Sequence, residues 1–169
     1  MKTRESITYQ PAELTFGTSG LRGKVSDMTD LECYINVAGF LHFLQQSDRL
    51  PAKAKVFVAG DLRNSTSRIL LAVHKAVLDA GHQTVYCGLV PTPALAFYAG
   101  GQGQPCIMVT GSHVPEERNG IKFYKIEGEV LKGDELSIQE AVATVRAKVY
   151  DTEAQMFTPE GMFTQPSAL

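Results

Sequence analysis

The stretch that decides the fold runs from Lys55 to Val109: KVFVAGDLRNSTSRILLAVHKAVLDAGHQTVYCGLVPTPALAFYAGGQGQPCIMV. Lys55–Ala59 is an apolar, β-branched run without alternation, the pattern of a strand covered on both faces. Gly60–Asn64 reads as a loop. Residues 65–80 read as a helix, with Ile69, Leu70, Val73 and Val77 along one side. Gln83–Cys87 reads as a second strand, and a short helix opened by Pro91 and Pro93 runs to Tyr98. Gly100–Gly103 is a turn, and Cys106–Val109 is a third buried strand. Strand, helix, strand, helix, strand in that order specifies right-handed crossovers and parallel pairing. The expected fold class is therefore α/β.

Outward from this unit, residues 30–46 carry one apolar stripe (Leu31, Tyr34, Ile35, Ala38, Leu41, Leu44) at helical spacing, with Asp30 as the expected cap. Leu14–Phe16 is a short strand candidate running into a glycine-rich turn, Gly17-Thr18-Ser19-Gly20-Leu21-Arg22-Gly23. Ile121–Ile126 reads as a strand. A last helix is expected over 134–148, with Ile138, Ala141, Val145 and Val149 inward and Arg146 and Lys148 suited to its C-terminal dipole. The expected division is an N-terminal arm (1–13), a domain (14–150) and a linker or tail (151–169).

The chain has 169 residues, 44% hydrophobic and 20% charged, which is ordinary globular composition and one domain's length. Its net charge of -2 recommends neither a nucleic-acid nor an anionic-membrane partner. No apolar stretch approaches the ~20 residues of a membrane span, and Met1–Glu5 leads into no signal-peptide core. Three scattered cysteines without a CxxC pair argue against a zinc or redox motif and for reduced thiols in the cytoplasm.

Ligands of parallel α/β sheets sit beyond the carboxyl ends of the strands. The segments there are 17–23, 60–66, 88–93 and 110–115. Thr110-Gly111-Ser112-His113-Val114-Pro115 places a serine beside a histidine at that edge. Neighbouring side chains are expected to diverge, so His113 is not expected to serve as the base for Ser112, and no GxSxG elbow is present. The 17–23 loop brings close-approach glycines, Thr18, Ser19 and the planar fork of Arg22, a set suited to an anion. It has neither Walker nor dinucleotide spacing. Arg63 is expected to pair with Asp61 and brace its own loop. His42, His74 and His82 make no metal pair. Taken singly, Ser112, Arg22 and Lys122 read first as a loop serine, a turn arginine and a solvated strand lysine.

Taken together, the four segments resemble one family, the α-D-phosphohexomutases, in their phosphomannomutase/phosphoglucomutase group. Gly17–Gly23 is similar to that group's N-terminal loop, Gly60-Asp61-Leu62-Arg63-Asn64-Ser65 to its second loop, and Val90-Pro91-Thr92-Pro93 to its third. Thr110–Pro115, followed by Asn119-Gly120-Ile121-Lys122, resembles its phosphoserine loop. The resemblance runs from Leu14 to Val149 and covers only the first of the family's four domains. It implies a three-layer α/β/α domain with a mostly parallel, mixed sheet. It implies that Ser112 carries a transferable phosphate, that Arg22, His113 and Lys122 line the site with Lys122 as acid/base, and that Thr18 and Ser19 lie beside the phosphate.

Two departures fall in the serine loop. Gly111 replaces the family's usual alanine, which is compatible with the site. Val114 replaces an asparagine and removes one amide. The family's magnesium loop, sugar-selecting loop and second phosphate loop have no counterpart in the sequence. The resemblance thus implies interconversion of hexose 1-phosphate and 6-phosphate through a bisphosphosugar, with mannose favoured over glucose by the Gly-Ser-His-x-Pro wording. It implies Mg²⁺ as cofactor, held here only through the phosphate on Ser112, and hexose 1,6-bisphosphate as activator. The expected partners are a sugar phosphate and mutase domains II–IV, without which the chain is expected to be inactive. A non-catalytic phosphosugar-binding module of the same fold is the alternative. Oligomeric state is not legible in the sequence; an isolated domain exposes faces meant for its neighbours, which leaves self-association open.

Overall fold

The computed structural model describes residues 1–12, 14–17 and 20–165. In chain order the elements are α1 (Thr3–Ser6), β1 (Thr15–Phe16), β2 (Gly20–Lys24), α2 (Asp30–Gln46), β3 (Lys55–Gly60), α3 (Thr66–Asp79), β4 (Gln83–Leu89), α4 (Thr92–Gly101), β5 (Cys106–Val109), β6 (Arg118–Lys125), β7 (Gly128–Glu129) and α5 (Glu135–Asp151), the last preceded by a 3₁₀ turn at Lys132–Asp134. The strands form one sheet in the order β1-β2-β6-β5-β3-β4, with β7 on β6. β3 pairs in parallel with both β4 and β5, as the βαβαβ reading requires. The parallel share stops there: β1–β2, β2–β6, β5–β6 and β6–β7 are antiparallel. The sheet is mixed, with its parallel part confined to three strands.

Strand alternation sorts the core into two layers. Val56, Val58, Ile107, Val109, Leu21, Ile121 and Phe123 face α2 and α3 in the larger cluster, which α5 closes through Ile138 and Ala141. Phe57, Ala59, Cys106 and Met108 face the other way, onto Leu95 and Ala99 of α4. The unalternating apolar strands follow from this double coverage, and the architecture is α/β/α.

Local corrections have clear causes. The Gly20–Lys24 segment, expected as part of a turn, is strand β2, because its backbone pairs along β6 from Gly20↔Lys122 to Lys24↔Arg118. Such long-range pairing overrides the turn propensity of its glycines. The cap of α2 is Thr29, whose hydroxyl accepts from Glu32 N at 3.2 Å. Asp30 is committed elsewhere: it takes Arg68 at 2.8 Å and the amide of Phe163 at 2.9 Å. The expected glycine turn after Tyr98 instead extends α4 to Gly101. Arg146 lies inside α5, which runs on to Asp151, and meets Glu32 of α2 rather than the helix dipole.

The described parts of 1–13 and 151–169 carry packed structure. Thr8 N donates to Pro159 O at 2.9 Å, and Leu31 N to Gly161 O at 2.9 Å. Phe157 is buried, stacks on Phe163 at 5.1 Å and meets the Tyr34 ring edge-on at 5.8 Å. All three cysteines are free, and burial pushes the Cys33 and Cys106 thiols up to about 12. Among the described residues no helix is long and apolar enough to cross a membrane.

Candidate active site

β5 is a central strand, and the loop that leaves its carboxyl end is Thr110–Pro115. Thr110 N still donates to Gly120 O of β6 at 3.0 Å, which carries the sheet one residue further. The chain then turns sharply. Ser112 has φ 57°, the left-handed region that costs a side-chain-bearing residue about 1–3 kcal/mol. Its amide donates to Thr110 Oγ1 at 2.9 Å, and the turn leaves both Ser112 and His113 exposed. It also brings Ser112 Oγ to 3.4 Å from His113 Nδ1. The expected divergence of the two side chains does not occur, because the left-handed residue reverses the chain between them.

The loop is held from beneath by Arg63. Its guanidinium donates to the carbonyls of Val114 at 2.5 Å, Pro115 at 2.8 Å, Arg118 at 3.1 Å and Ser112 at 3.3 Å. Its Nε lies 3.3 Å from Asp61 Oδ2. The Asp61 pairing is as expected, but the brace reaches across the molecule to the serine loop. Asp61 in turn accepts from Gly111 N at 3.1 Å and Thr66 Oγ1 at 2.5 Å. Burial alone would push the Asp61 carboxyl up; hydrogen bonds from Thr66, the Arg63 amide, Thr110 and the Gly111 amide outweigh it and hold it below the usual range. Sequence reading left this role of Arg63 out, since only the fold brings 60–66 under 110–118.

Gly111 is part of the same arrangement. A Cβ there would overlap Arg63 Nε and Cζ, so alanine fits only if the guanidinium shifts. Gly111→Ala should therefore displace the guanidinium from its four carbonyls and cost about 1–3 kcal/mol in denaturant unfolding. In an Arg63→Ala background the same substitution should cost almost nothing. Equal losses in both backgrounds would contradict the coupling.

Arg22 and Lys122 approach from β2 and β6. Leu21, Ile121 and Phe123 point into the α2 core, so the alternate residues Arg22 and Lys122 share the opposite face with Met108. Arg22 pairs with Gly120, and Lys122 with Met108 on one side and Gly20 on the other. The missing side chain at Gly120 gives Arg22 its path: a Cβ there would overlap Leu21 O and crowd Arg22 Cγ. The Arg22 side chain then runs toward Gly17. Both cations are half-buried, and among the described residues neither forms an ion pair. On this side of the sheet α4 packs on β3 and β5. Arg22 and Lys122 thus share one face of the sheet, near the end from which the Ser112–His113 turn leaves β5. Thr18 and Ser19, expected beside the phosphate, lie outside the described residues.

The donors present do not fit a magnesium ion. Among the described residues no three His, Cys, Asp or Glu side chains cluster as a metal site. Beside the serine loop, Asp61 is taken by Gly111, Thr66 and Arg63, and Glu116 accepts from Asn64 N at 3.0 Å. A serine oxygen alone falls far short of octahedral oxygen ligation. Clefts of about 520 Å³ beside Arg146 and about 590 Å³ beside Asp79 are lined by α5 and its neighbours, not by the serine loop.

Residues 13–149 match the family model of phosphoglucomutase/phosphomannomutase, alpha/beta/alpha domain I. The chain belongs to that family. Among curated relatives it is 42% identical over 123 residues to a phosphomannomutase of Sinorhizobium fredii, covering 73% of this chain and 26% of the relative. It is 43% identical over 125 residues to a phosphomannomutase of Salmonella muenchen, covering 74% and 26%. A phosphoglucosamine mutase of Gloeothece citriformis is 32% identical, over 70% of this chain and 24% of the relative. A phosphoglucomutase/phosphomannomutase family structure from Burkholderia thailandensis superposes with TM-score 0.67 at 24% identity, over 81% of this chain and 31% of that one. These structural likenesses support the domain I fold. The chain spans about a quarter of the length of the curated relatives it matches.

Proposed function

We propose that this chain is the phosphoserine-bearing domain of a phosphohexomutase, interconverting hexose 1-phosphate and 6-phosphate with mannose as the favoured sugar. The observation that carries the reading is Ser112: an exposed hydroxyl in a left-handed turn at the carboxyl end of a central strand, with His113 within 3.4 Å and two cations on the adjoining sheet face. Phosphomannomutases at 42% and 43% identity, against 32% for a phosphoglucosamine mutase, support the phosphomannomutase group over the glucosamine group.

In the proposed reaction a sugar hydroxyl attacks the phosphorus of phospho-Ser112. The new sugar O–P bond forms as the Ser112 Oγ–P bond breaks, leaving a serine alkoxide that a neighbouring acid protonates. The sugar hydroxyl's proton passes to a base. Lys122 and His113 are the groups placed to relay these protons. The resulting bisphosphosugar, also the proposed activator, reorients and returns its other phosphate to Ser112. Phosphoryl transfer depends mostly on positioning and charge neutralisation. Arg22 and Lys122 offset the -1.5 to -2 charge that a phosphoserine brings (roughly). Thr18 and Ser19 complete the phosphate cradle in this proposal. The carboxylates for magnesium, the sugar pocket and the second phosphate clamp come from further polypeptide. A cytoplasmic setting belongs to the same proposal, supported by three unpaired thiols.

The test is complementation. Domains II–IV of a phosphomannomutase, mixed with this chain and shown to bind it by co-sedimentation, should recover mannose 1-phosphate to 6-phosphate turnover that neither part has alone. A complex that forms and stays inactive would favour a binding module instead.

A further inference from the structure

Ser112 sits in a left-handed turn, and such a turn persists only where its surroundings hold the peptide planes on both sides of the residue. The plane after Ser112 is held by Arg63, whose guanidinium reaches the Ser112 carbonyl at 3.3 Å. The plane before it is held by another group. Gly111 O accepts from Val114 N at 3.2 Å, a bond internal to the turn that moves with it. The tie of this plane to the rest of the protein is the hydrogen bond from Ser112 N to Thr110 Oγ1 at 2.9 Å.

Thr110 is itself fixed. Its amide donates to Gly120 O at 3.0 Å, and the residue is buried. Against its burial, the Asp61 carboxyl is held below the usual range by donors that include the Thr110 hydroxyl. A carboxylate only accepts, so the hydroxyl hydrogen goes to Asp61 and the oxygen lone pairs are left for the Ser112 amide. Asp61 is fixed in turn by Thr66 Oγ1 at 2.5 Å, and Thr66 Oγ1 accepts from Asn119 Nδ2 at 3.1 Å. Asn119 is completely buried in β6. Two chains of donors thus converge on Asp61, one from Asn119 through Thr66, the other from Ser112 through Thr110. We infer, on the reading of Ser112 as the phosphate carrier, that Thr110 is a positioning residue for phosphoryl transfer: its hydroxyl holds the Ser112 amide inward and so sets where Oγ points. With both peptide planes held, the Ser112 Cβ has one place to be, and only χ1 is left to Oγ. The Ser112 amide is then spent on the protein, and the charge of a phosphate on Oγ is left to other donors.

Thr110→Val keeps the shape of the side chain and removes the acceptor, whereas Thr110→Ser keeps the hydroxyl. Both are made in the 169-residue chain and complemented with domains II–IV of a phosphomannomutase. A reacting atom misplaced by about 1 Å costs up to about 100-fold, so Thr110→Val should lower kcat by about 10–100-fold. KM for mannose 1-phosphate should stay within about twofold, because Thr110 acts through Ser112 and not on the sugar phosphate. Thr110→Ser should recover most of the lost kcat. Amide hydrogen exchange of the chain alone reads the same hold without any activity. Ser112 N–H should exchange at least about tenfold faster in Thr110→Val than in the parent or in Thr110→Ser. Equal exchange in all three chains would overturn the inference. So would a valine variant with full kcat, one whose loss falls on KM, or a serine variant as slow as the valine one. A parent complex that forms and does not turn over is a separate failure, that of Ser112 as carrier, and the role in transfer falls with it whatever the exchange shows.

Discussion

Ser112→Ala will lower turnover of the complemented mutase by roughly 10⁴-fold or more while leaving the fold unchanged. The size follows from what is lost. In the proposed reaction Oγ is the atom from which phosphoryl leaves and to which it returns, so alanine leaves that reaction without its carrier. His113 Nδ1 comes within 3.4 Å of Oγ, where the proposal gives it proton relay and not phosphoryl carriage. Stability should hardly fall, because Ser112 Oγ has no structural partner beyond that one contact; the loop is anchored through the Ser112 amide and through carbonyls held by Arg63. Alanine is no easier in the left-handed region than serine, so the strain at φ 57° stays in place. The combination to look for is lost turnover with an unchanged melting temperature and unchanged binding of domains II–IV.

The second large effect is on stability and lies far from Ser112. Glu32 is completely buried in α2, and Arg146 of α5 meets it with two parallel hydrogen bonds of 2.6 and 2.8 Å. Tyr150 Oη adds a third contact at 3.5 Å. Burial would by itself push the Arg146 guanidinium's pKa down; Glu32 and Tyr150 outweigh that and raise it, so the guanidinium stays charged. Arg146→Met strands an uncompensated carboxylate between two helices and should cost about 3–5 kcal/mol. For a chain of this size that lowers the melting temperature by roughly 10 °C. Replacing both partners, Glu32→Leu with Arg146→Met, should restore most of the loss, since an apolar pair of similar volume no longer buries a charge. A double variant as unstable as the single one would contradict this account of the α2–α5 contact.

What the sequence made legible divides along the range of the interactions. The β3–α3–β4–α4–β5 unit could be read because each element declares itself within its own residues. Val56–Ala59 and Cys106–Val109 are apolar throughout, and Ile69, Leu70, Val73 and Val77 repeat at helical spacing. β2 could not be read that way. Gly20 and Gly23 look like turn residues until β6, a hundred residues later, supplies their hydrogen bonds. The same distance hid the reach of Arg63, whose carbonyl partners begin at Ser112. Arg146 looked like a dipole residue because nothing local announces Glu32. Phe157 and Phe163 have no periodicity to show that they would pack on Tyr34. The candidate site residues were found differently, through the wording of four short segments. The fold then accounts for their company: β5 ends where β2 and β6 turn Arg22 and Lys122 toward the same face.

The central claim is that Ser112 carries phosphate, and one measurement reaches it most directly. The chain is incubated with mannose 1,6-bisphosphate, alone and with domains II–IV, and its intact mass is followed by mapping of any modified peptide. The account predicts a single phosphoryl adduct on Ser112, formed with domains II–IV present, discharged by hexose monophosphate and absent from Ser112→Ala. No adduct in the assembled complex, or one on another residue that persists in Ser112→Ala, would contradict it.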